Sequence, residues 1–464
     1  MQEIVLTQEH QHIISSDMAN HYRIIPKVLE GGNIMLYIDE DNANDELRDE
    51  LELLLGLSVS FDAKGSPEIE KALSLYYRKE RIQDKKALNL DQGDFLEALL
   101  YEAKSLKSSD IHFEIYEADA RIRFRIDGQL IERYKIEREN YLELVNKVKI
   151  RSKLNITEKR LPQDGRITND TFDIRVSILP TLFGEKIVMR LLGQDASNIS
   201  LEALGFQPGE LENYVEAVKK PNGIILISGP TGSGKTTTLY ATLRLLNDSK
   251  RNIVTVEDPI EYTLKGINQV QLKEDIGLTF SAALKSFLRQ DPDIIMLGEI
   301  RDPETALMAI RASLTGHLVL STIHTNSALG TISRLIDMGV PSYLISETLN
   351  LSVAQRLVRK LCPECKTEAV CEQEDFPIGY KLPYEIKNVY KPTGCNKCYH
   401  TGYSGRIAIY EVVPIDYRVA NAIKNNNIND IYSKDHKSLS TKAFNLLAKG
   451  ESSLEEVYSI LINA

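Results

Sequence analysis

Four short apolar runs, separated by helical patterns, organise the middle of the chain. The runs are IILIS, NIVTVED, DIIMLGE and HLVLSTIH, and the helical pattern KTTTLYATLRLLN follows the first of them. Continuous apolar runs of this length are typical of strands that are buried on both faces. The pattern therefore predicts an α/β fold in which helices enclose a parallel sheet.

A different pattern precedes this region. The amphipathic helix pattern DFLEALLYEAKSL is followed by strand-like alternation in SDIHFEIYEADARIRFRIDGQLIERY, where Asp127-Gly128 supplies hairpin turn chemistry. A second hairpin pattern, GRITNDTFDIRVSIL, is predicted to turn at Asn169-Asp170. Together these patterns indicate a compact α+β domain that ends near the sequence MRLL.

Changes of pattern along the chain suggest seven segments, of which the last contains the helical pattern LSTKAFNLLAKGESSLEEVYSIL. The predicted segments are a small mixed unit (1–80), a polar linker (81–93), the α+β domain (94–192), a hinge linker (193–205), the parallel-sheet core (206–360), a cysteine-bearing subdomain (361–406) and a helical C-terminal subdomain (407–464).

The charge and the apolar content of the chain argue against several classes of protein. The chain of 464 residues has 66 acidic and 56 basic residues and a net charge of −10, which argues against a nucleic-acid partner. No apolar run approaches about 18 residues, so we expect no membrane span and at most a peripheral membrane role. The N-terminal sequence MQEIVLTQEHQHII lacks the pattern of a signal peptide. Five cysteines, four of them in CxxC pairs, suit a reducing cytoplasm.

The sequence SGPTGSGKTT predicts a phosphate-binding loop. Residues 229–236 fit G-x-x-x-x-G-K-[ST] between a predicted strand and a predicted helix, a context that argues against a chance glycine turn. Backbone N–H groups of such a loop surround an anion, while Lys235 reaches the β and γ phosphates and the Thr236 hydroxyl ligates Mg²⁺. The predicted nucleotide-binding residues are Gly229, Pro230, Thr231, Gly232, Ser233, Gly234, Lys235, Thr236 and Thr237.

Acidic residues and histidines lie next to the other apolar runs. Glu299 follows DIIMLG, with Gly298 where an aspartate often holds the metal, and the expected role of Glu299 is therefore an indirect one, exerted through water. Glu257, Asp258 and Glu261 follow another run, and one of them could orient a water molecule against the γ-phosphate; a solvated acidic loop is the alternative. His317 and His324 flank the strand LVLSTI, where spacing alone would favour hydrogen-bonded core histidines.

Two cysteine pairs indicate a metal centre. Cys362, Cys365, Cys395 and Cys398 offer four thiolates, which suit tetrahedral Zn²⁺ without an open position for catalysis. The 29 residues between the pairs (366–394) exceed the usual spacing, so an inserted loop is expected. Disulfides or redox thiols are the alternative, and Cys371 is interpreted as a free thiol.

The motifs GPTGSGKT, TVEDPIEY, RQDPDIIMLGEIRDPETA and TGHLVLSTIHTN occur in the order found in secretion ATPases, the motors of type II secretion and type IV pilus assembly. The resemblance also includes SSDIHFE, RLPQDGRI, DIRVSILPT and CPEC…GCNKCYHTGYSGR, and it covers roughly residues 94–464. It implies a RecA-like ATPase core preceded by a PAS-like α+β domain. The tetracysteine module points to the assembly and secretion branch, since retraction ATPases of the family lack it.

The resemblance also implies a mechanism. Family members form homohexamers at the cytoplasmic face of the inner membrane, where ATP hydrolysis drives domain rotations that are passed to a membrane platform protein. Glu261 would position the attacking water, Glu299 would supply the acidic role beside the metal, and His317 and His324 would sense the γ-phosphate. Arginines that match family positions are Arg166 and Arg175, which would contact the nucleotide, and Arg289, Arg301 and Arg406; Lys285 stands where relatives often carry arginine.

Residues 1–80 resemble one copy of the recruitment module that precedes these motors, so the cytoplasmic domain of a membrane recruitment protein is an expected partner. Its sequence does not support binding of cyclic di-GMP. Two other hypotheses for the function remain at this point: a nucleic-acid translocase with the same core, and an inactive nucleotide-dependent scaffold. The motifs are shared by type II secretion, type IV pilus and DNA-uptake machines.

Overall fold

A computed structural model describes residues 4, 6, 13, 14, 16–30, 33–40, 42–77, 95–168, 172–193, 199–427 and 438–462. Within these residues the strands form sheets of three, six, seven and two strands. The predicted linker 81–93 lies outside the described residues, as do residues 194–198 of the predicted hinge.

The N-terminal unit is a three-stranded sheet covered by helices. Asn44 caps its second helix by accepting a hydrogen bond from the N–H of Leu47 (2.8 Å), and Gly56 ends that helix in the left-handed region. The strand order is β1-β2-β3, with the first pair antiparallel and the second parallel. The elements are α1 (Ser16–Tyr22), β1 (Ile24–Glu30), β2 (Asn33–Asp39), α2 (Asp45–Leu55), β3 (Ser58–Lys64) and α3 (Ser66–Tyr76).

The predicted α+β domain is an antiparallel six-stranded sheet with two helices. Its order is β6-β5-β4-β9-β8-β7, and buried residues alternate along β5 as the sequence pattern predicted. Asp127 (φ +47°) and Gly128 (φ +86°) turn the first hairpin, and the second hairpin is paired up to Thr168 and Asp173, although Asn169 and Asp170 lie outside the described residues. The elements are α4 (Phe95–Ser105), β4 (Asp110–Ile115), β5 (Ala120–Ile126), β6 (Gln129–Ile136), α5 (Arg138–Arg151), β7 (Gln163–Thr168), β8 (Phe172–Thr181) and β9 (Gly184–Gly193).

The core is a seven-stranded sheet in which six strands are parallel, as predicted. Their order is β12-β11-β13-β14-β10-β15, and every residue of β10, β11, β13 and β14 is buried. The elements are α6 (Pro208–Val218), β10 (Gly223–Ser228), α7 (Lys235–Leu246), β11 (Ile253–Glu257), β12 (Asn268–Gln271), α8 (Phe280–Phe287), β13 (Ile294–Leu297), α9 (Pro303–Leu314), β14 (Leu318–Ile323), α10 (Ala328–Asp337), α11 (Ser342–Thr348) and β15 (Leu349–Leu361).

The seventh strand, β18 (Tyr403–Pro414), pairs with β15 in antiparallel fashion. This strand was not predicted from the sequence, and the segment boundary predicted at 406/407 falls inside it. The sheet therefore continues on both sides of the cysteine-bearing segment, and an antiparallel edge strand completes an otherwise parallel sheet.

The cysteine-bearing segment and the C-terminal helices pack on this edge. The predicted loop between the cysteine pairs contains a short hairpin, β16 (Thr367–Val370) and β17 (Asn388–Lys391). The predicted helical tail is confirmed in α12 (Tyr417–Lys424), α13 (Leu439–Ala448) and α14 (Leu454–Leu461). Phe444 of α13 is fully buried among aromatic rings of the inserted loop. None of the helices in the described ranges has the length and apolar character needed to cross a bilayer.

Candidate nucleotide site and cysteine centre

The register of the parallel strands brings the predicted site residues to one edge of the core sheet. Ser228 of β10 pairs with Ile323 of β14, and Val256 of β11 pairs with Leu297 of β13. The phosphate loop, the loop after β11, Glu299 and His324 therefore follow neighbouring strands at their carboxyl ends, where open α/β sheets bind ligands.

The phosphate loop depends on glycine for its shape. Gly229, Gly232 and Gly234 have φ values of +148°, +80° and +89°. A Cβ atom at Gly229 would lie 2.5 Å from the carbonyl oxygen of Gln355, so another residue would displace the loop. Such a curled backbone before a helix is suited to holding phosphate groups, and the residues present fit a nucleotide.

Lys235 opens α7 and points back over the loop. Its Nζ donates hydrogen bonds to the carbonyl oxygens of Gly229 (2.8 Å) and Pro230 (3.1 Å). Burial lowers the pKa of Lys235, while the negative charge of Glu299 raises it. The next residue, Thr236, is exposed on the first turn of the helix.

Gln355, which was not predicted from the sequence, connects the phosphate loop to β15. Its buried side chain donates to the carbonyl oxygen of Ser233 (2.8 Å) and accepts from the Thr238 hydroxyl (2.9 Å). A glutamine inside the apolar pattern of SVAQRLV was the available signal, since a buried amide needs partners.

Glu299 and His324 meet at the same edge. Arg301 donates to one Glu299 oxygen, and His324 Nε2 lies 3.2 Å from the other. Burial acts to raise the pKa of Glu299, but the hydrogen bond and charge of Arg301, followed by His324, outweigh it, so the pKa lies below its usual value. The carboxylate is therefore held in its charged form.

The acids after β11 have different environments. Glu257 is buried and accepts hydrogen bonds from Tyr240, Thr255 (2.6 Å) and Gln269 (3.0 Å), so it braces the core. Glu261 is a third exposed and lies 3.5 Å from Arg175 of β8. Of the two, Glu261 has the accessible carboxylate.

Arg175 connects the six-stranded domain to the core. One of its terminal nitrogens contacts Glu261, and the other donates to the carbonyl oxygen of Ile260. Arg166 pairs with Arg175 across β7 and β8, but its side chain is 60% exposed and forms an ion pair with Asp173 of its own sheet. The structure brings Arg175, and not Arg166, to the predicted site.

His317 does not reach this edge. It precedes β14, and its carbonyl oxygen accepts from the N–H of Gly223, which begins β10. Its Nδ1 lies 2.8 Å from the carbonyl oxygen of Ala312. Because the phosphate loop follows the other end of β10, the assignment of His317 as a phosphate sensor is not supported within this chain.

The four paired cysteines form one cluster. The distances between sulfur atoms are 3.8 Å for Cys362 and Cys395, 3.7 Å for Cys365 and Cys398, and 3.8 Å for Cys395 and Cys398. Zn–S bonds of about 2.3 Å in a tetrahedron place sulfur atoms ~3.8 Å apart, so the cluster has the dimensions of a zinc site. Cys371 is outside it.

Backbone N–H groups point at these sulfur atoms. The N–H of Gly394 donates to Cys365 Sγ (3.3 Å), and those of Cys395 (3.1 Å) and Gly402 (3.3 Å) donate to Cys398 Sγ. Such contacts orient metal-bound thiolates and stabilise their negative charge. The geometry fits Zn²⁺ held by four protein ligands.

Comparison with known proteins identifies the family of this chain. The sequence model of a family described as "Type II/IV secretion system protein" matches residues 92–459. The type II secretion system protein E of Aeromonas hydrophila is 40% identical over 447 residues, which cover 89% of each chain. The chain belongs to the Type II/IV secretion system protein family. As a secretion ATPase of that family, it is an enzyme that uses ATP.

Two other relatives of this secretion ATPase carry different names. The type IV pilus assembly ATPase PilB of Myxococcus xanthus is 41% identical over 435 residues, covering 87% of this chain and 77% of the relative. The type II secretion system ATPase E of Vibrio cholerae is 45% identical over 373 residues, covering 79% and 74%. The relatives therefore establish the family. Relatives named for pilus assembly and relatives named for type II secretion have similar sequence identity to this chain, so identity does not choose between the two machines.

Solved structures agree with the fold of the secretion ATPase. The pilus retraction motor PilT, solved with bound ADP, aligns with a TM-score of 0.56 at 27% identity and covers 79% of this chain and 96% of PilT. The ATPase DotB of Legionella pneumophila aligns with a TM-score of 0.60 at 22% identity, covering 80% and 96%, and supports the fold alone.

Four other basic residues at positions that match the secretion ATPases lie outside the phosphate loop. Lys285 pairs with Glu304 (2.7 Å), and Arg301 pairs with Glu299 as described. Arg406 of β18 lies 3.6 Å from Asp127 of the six-stranded domain, and Arg289 contacts Ser286 (3.5 Å). Only Arg301 of these four contacts a predicted catalytic residue.

Proposed function

We propose that this chain is a cytoplasmic, homohexameric motor that hydrolyses ATP to power type II protein secretion or type IV pilus assembly. The contact of Arg175 with the loop of Glu261 carries the proposal, because it joins a separate domain to the edge where hydrolysis would occur. The family membership and the names of the relatives support the choice of machine.

In the proposed site, the loop Gly229–Thr237 binds the phosphates of ATP. Lys235 exchanges its contacts with the carbonyl oxygens of Gly229 and Pro230 for phosphate oxygens. Mg²⁺ held by the Thr236 hydroxyl would neutralise charge on the phosphates, with the carboxylate of Glu299 nearby. Glu261 orients the attacking water, and His324 with Arg301 keeps Glu299 charged.

Movement would follow from Arg175. A guanidinium makes strong bidentate contacts with phosphate, so a γ-phosphate competes with Glu261 and Ile260 for this side chain. When hydrolysis removes the γ-phosphate, Arg175 returns to its contacts within the protein. The six-stranded domain would then change its position on the core, and the segment 193–205 would act as the hinge.

The cysteine centre has a different role in this proposal. Cys362, Cys365, Cys395 and Cys398 would hold Zn²⁺, which would link the ends of the inserted loop and stabilise the turn that precedes β18. With four protein ligands the metal has no open position, so it supplies structure and no chemistry.

The partners are proposed from the family. Residues 1–80 would bind the cytoplasmic domain of a membrane recruitment protein, and the hexamer would act on a platform protein of the inner membrane, to which it is peripherally attached. No nucleic acid is part of the proposal, because the net charge is −10 and offers no general attraction to phosphate backbones.

The test combines turnover with fractionation. Purified protein should hydrolyse ATP as a hexamer without stimulation by single-stranded DNA, and Lys235→Ala should lack this activity. Removal of residues 1–80 should preserve ATP binding but abolish co-fractionation with the membrane platform. Strong stimulation by DNA would favour a translocase, and absence of any turnover would favour an inactive scaffold.

A further inference from the structure

Arg356 of β15 lies beside the first glycine of the phosphate loop. Its Nη1 donates to the carbonyl oxygen of Gln355 (3.0 Å), and its Nη2 lies 3.1 Å from the main-chain oxygen and 3.3 Å from Oδ1 of Asn326. A Cβ atom at Gly229 would lie 3.2 Å from Arg356 Nη1. The guanidinium group therefore runs along the Gly229 end of the loop.

Arg356 and Lys235 place two positive charges around Gly229 and Pro230. Within the described part of the chain, the acceptors of both cations are neutral: main-chain carbonyl groups and the side chain of Asn326. Half-buried cations whose hydrogen-bond acceptors are neutral are costly, and an anion between them offsets that cost.

The electrostatics of the two groups agree with this geometry. Burial lowers the pKa of Lys235, and the nearby charge of Arg356 lowers it further, against the effect of Glu299. Burial also lowers the pKa of Arg356, while the buried carboxylate of Glu411 acts in the opposite direction. Both cations are thus partly desolvated and act on each other.

We propose that Arg356 is a second phosphate-contacting cation, which binds the polyphosphate of the nucleotide from the side of β15 while Lys235 binds it from α7. The inference rests on the proposed use of Gly229–Thr237 as the phosphate loop. A guanidinium has five N–H donors, so the three contacts above leave donors for phosphate oxygens. Its planar shape suits bidentate contacts that an ammonium group cannot make.

The test measures binding of ADP and of pyrophosphate to the full chain by calorimetry. Arg356→Gln should weaken both by about tenfold or more, since hydrogen bonds to charged groups are lost. Arg356→Lys should lie between the parent and Arg356→Gln, because it keeps the charge without the bidentate geometry. Asn326→Ala removes a neutral acceptor of Arg356 and should stay within about twofold of the parent.

Arg311→Gln is the matched control, since Arg311 is exposed in the last turn of α9, and it should bind both ligands like the parent. Parental affinity in Arg356→Gln would overturn the inference. Losses in Arg356→Lys and Asn326→Ala as large as that in Arg356→Gln would also overturn it, since they would indicate a scaffold role. If Lys235→Ala binds both ligands like the parent, the phosphate loop itself is misassigned and the inference fails with it.

Discussion

At the phosphate-loop edge, Lys235 contacts neutral carbonyl groups and Glu261 is a third exposed beside Arg175, whereas at the cysteine centre four sulfur atoms lie close to one another. Lys235 and Glu261 can exchange their present contacts for those of a ligand. The sulfur atoms already have the spacing that one metal ion requires. The two sites therefore differ in kind. The contacts at the phosphate-loop edge can be exchanged for those of a ligand, whereas the sulfur positions of the cysteine centre suit one permanently bound metal ion.

The largest effect is expected at the exchangeable site. Lys235→Ala should lower ATP hydrolysis by about 10³ or more, because the β and γ phosphates lose their main side-chain partner. Steady-state phosphate release measures the effect, with Lys265→Ala as the control, since Lys265 is exposed and its main chain contacts Asn247 at the end of α7 opposite the phosphate loop. Turnover in Lys235→Ala equal to that of the control would remove the phosphate loop from the mechanism.

Substitution of Arg175 tests whether the six-stranded domain contributes to catalysis at the phosphate-loop edge. Arg175→Ala should reduce turnover by about 10³, the scale of losing an arginine finger, while ADP affinity stays nearly unchanged because ADP lacks the γ-phosphate. Arg166→Ala should have a much smaller effect, since Arg166 is paired with Asp173. Equal losses in the two variants would show that both arginines reach the nucleotide in the assembled motor.

Glu261→Gln should lower turnover by about 10² while nucleotide binding is preserved, because the amide orients water poorly. Glu257→Gln should instead lower the melting temperature, since its buried carboxylate accepts three hydrogen bonds. Single-turnover hydrolysis and thermal unfolding separate the two effects. A parental rate in Glu261→Gln would assign the water-positioning role to another group.

The cysteine centre should respond in stability and metal content. Cys395→Ser should lose its zinc and unfold at a lower temperature, because a structural zinc site contributes to folding. Cys371→Ser should keep the parental zinc content, since Cys371 is outside the cluster. Metal analysis of both proteins is the measurement, and a parental zinc content in Cys395→Ser would point to other ligands.

The smallest effect concerns Glu299. Its pKa lies below the usual value, so the stability from its charged form is present above the unfolded-state pKa and is lost as the pH falls through the folded-state pKa. Arg301→Gln removes a donor and should shift the acid limb of unfolding to higher pH by less than about one unit. An acid limb that moves to lower pH would contradict this sign.

The sequence predicted the features that depend on local pattern. The buried strands and the Asp127-Gly128 turn are confirmed in the structure, which also brings the four paired cysteines together and gives the glycine loop a curled backbone. His317 does not reach the phosphate-loop edge within one chain, because it precedes β14 and ligands of such sheets bind at the carboxyl ends of the strands.

Other features depend on contacts that sequence spacing does not specify. Arg166 and Arg175 share one face of a hairpin, and the placement of that hairpin on the core decides which of them reaches Glu261. The strand β18 was missed because its partner β15 lies more than forty positions earlier, on the other side of the cysteine pairs, and sequence spacing does not reveal such a pairing.

The contact of Asp127 has a mechanical consequence. Its carboxylate accepts a hydrogen bond from the N–H of Gly405 (2.8 Å), next to Arg406, while Arg175 touches the core at Ile260 and Glu261. If the contact at Arg175 is exchanged for one with a ligand, the contacts of Asp127 with Gly405 and Arg406 would persist, so the six-stranded domain would stay attached to the core beside the cysteine centre while its other end is released.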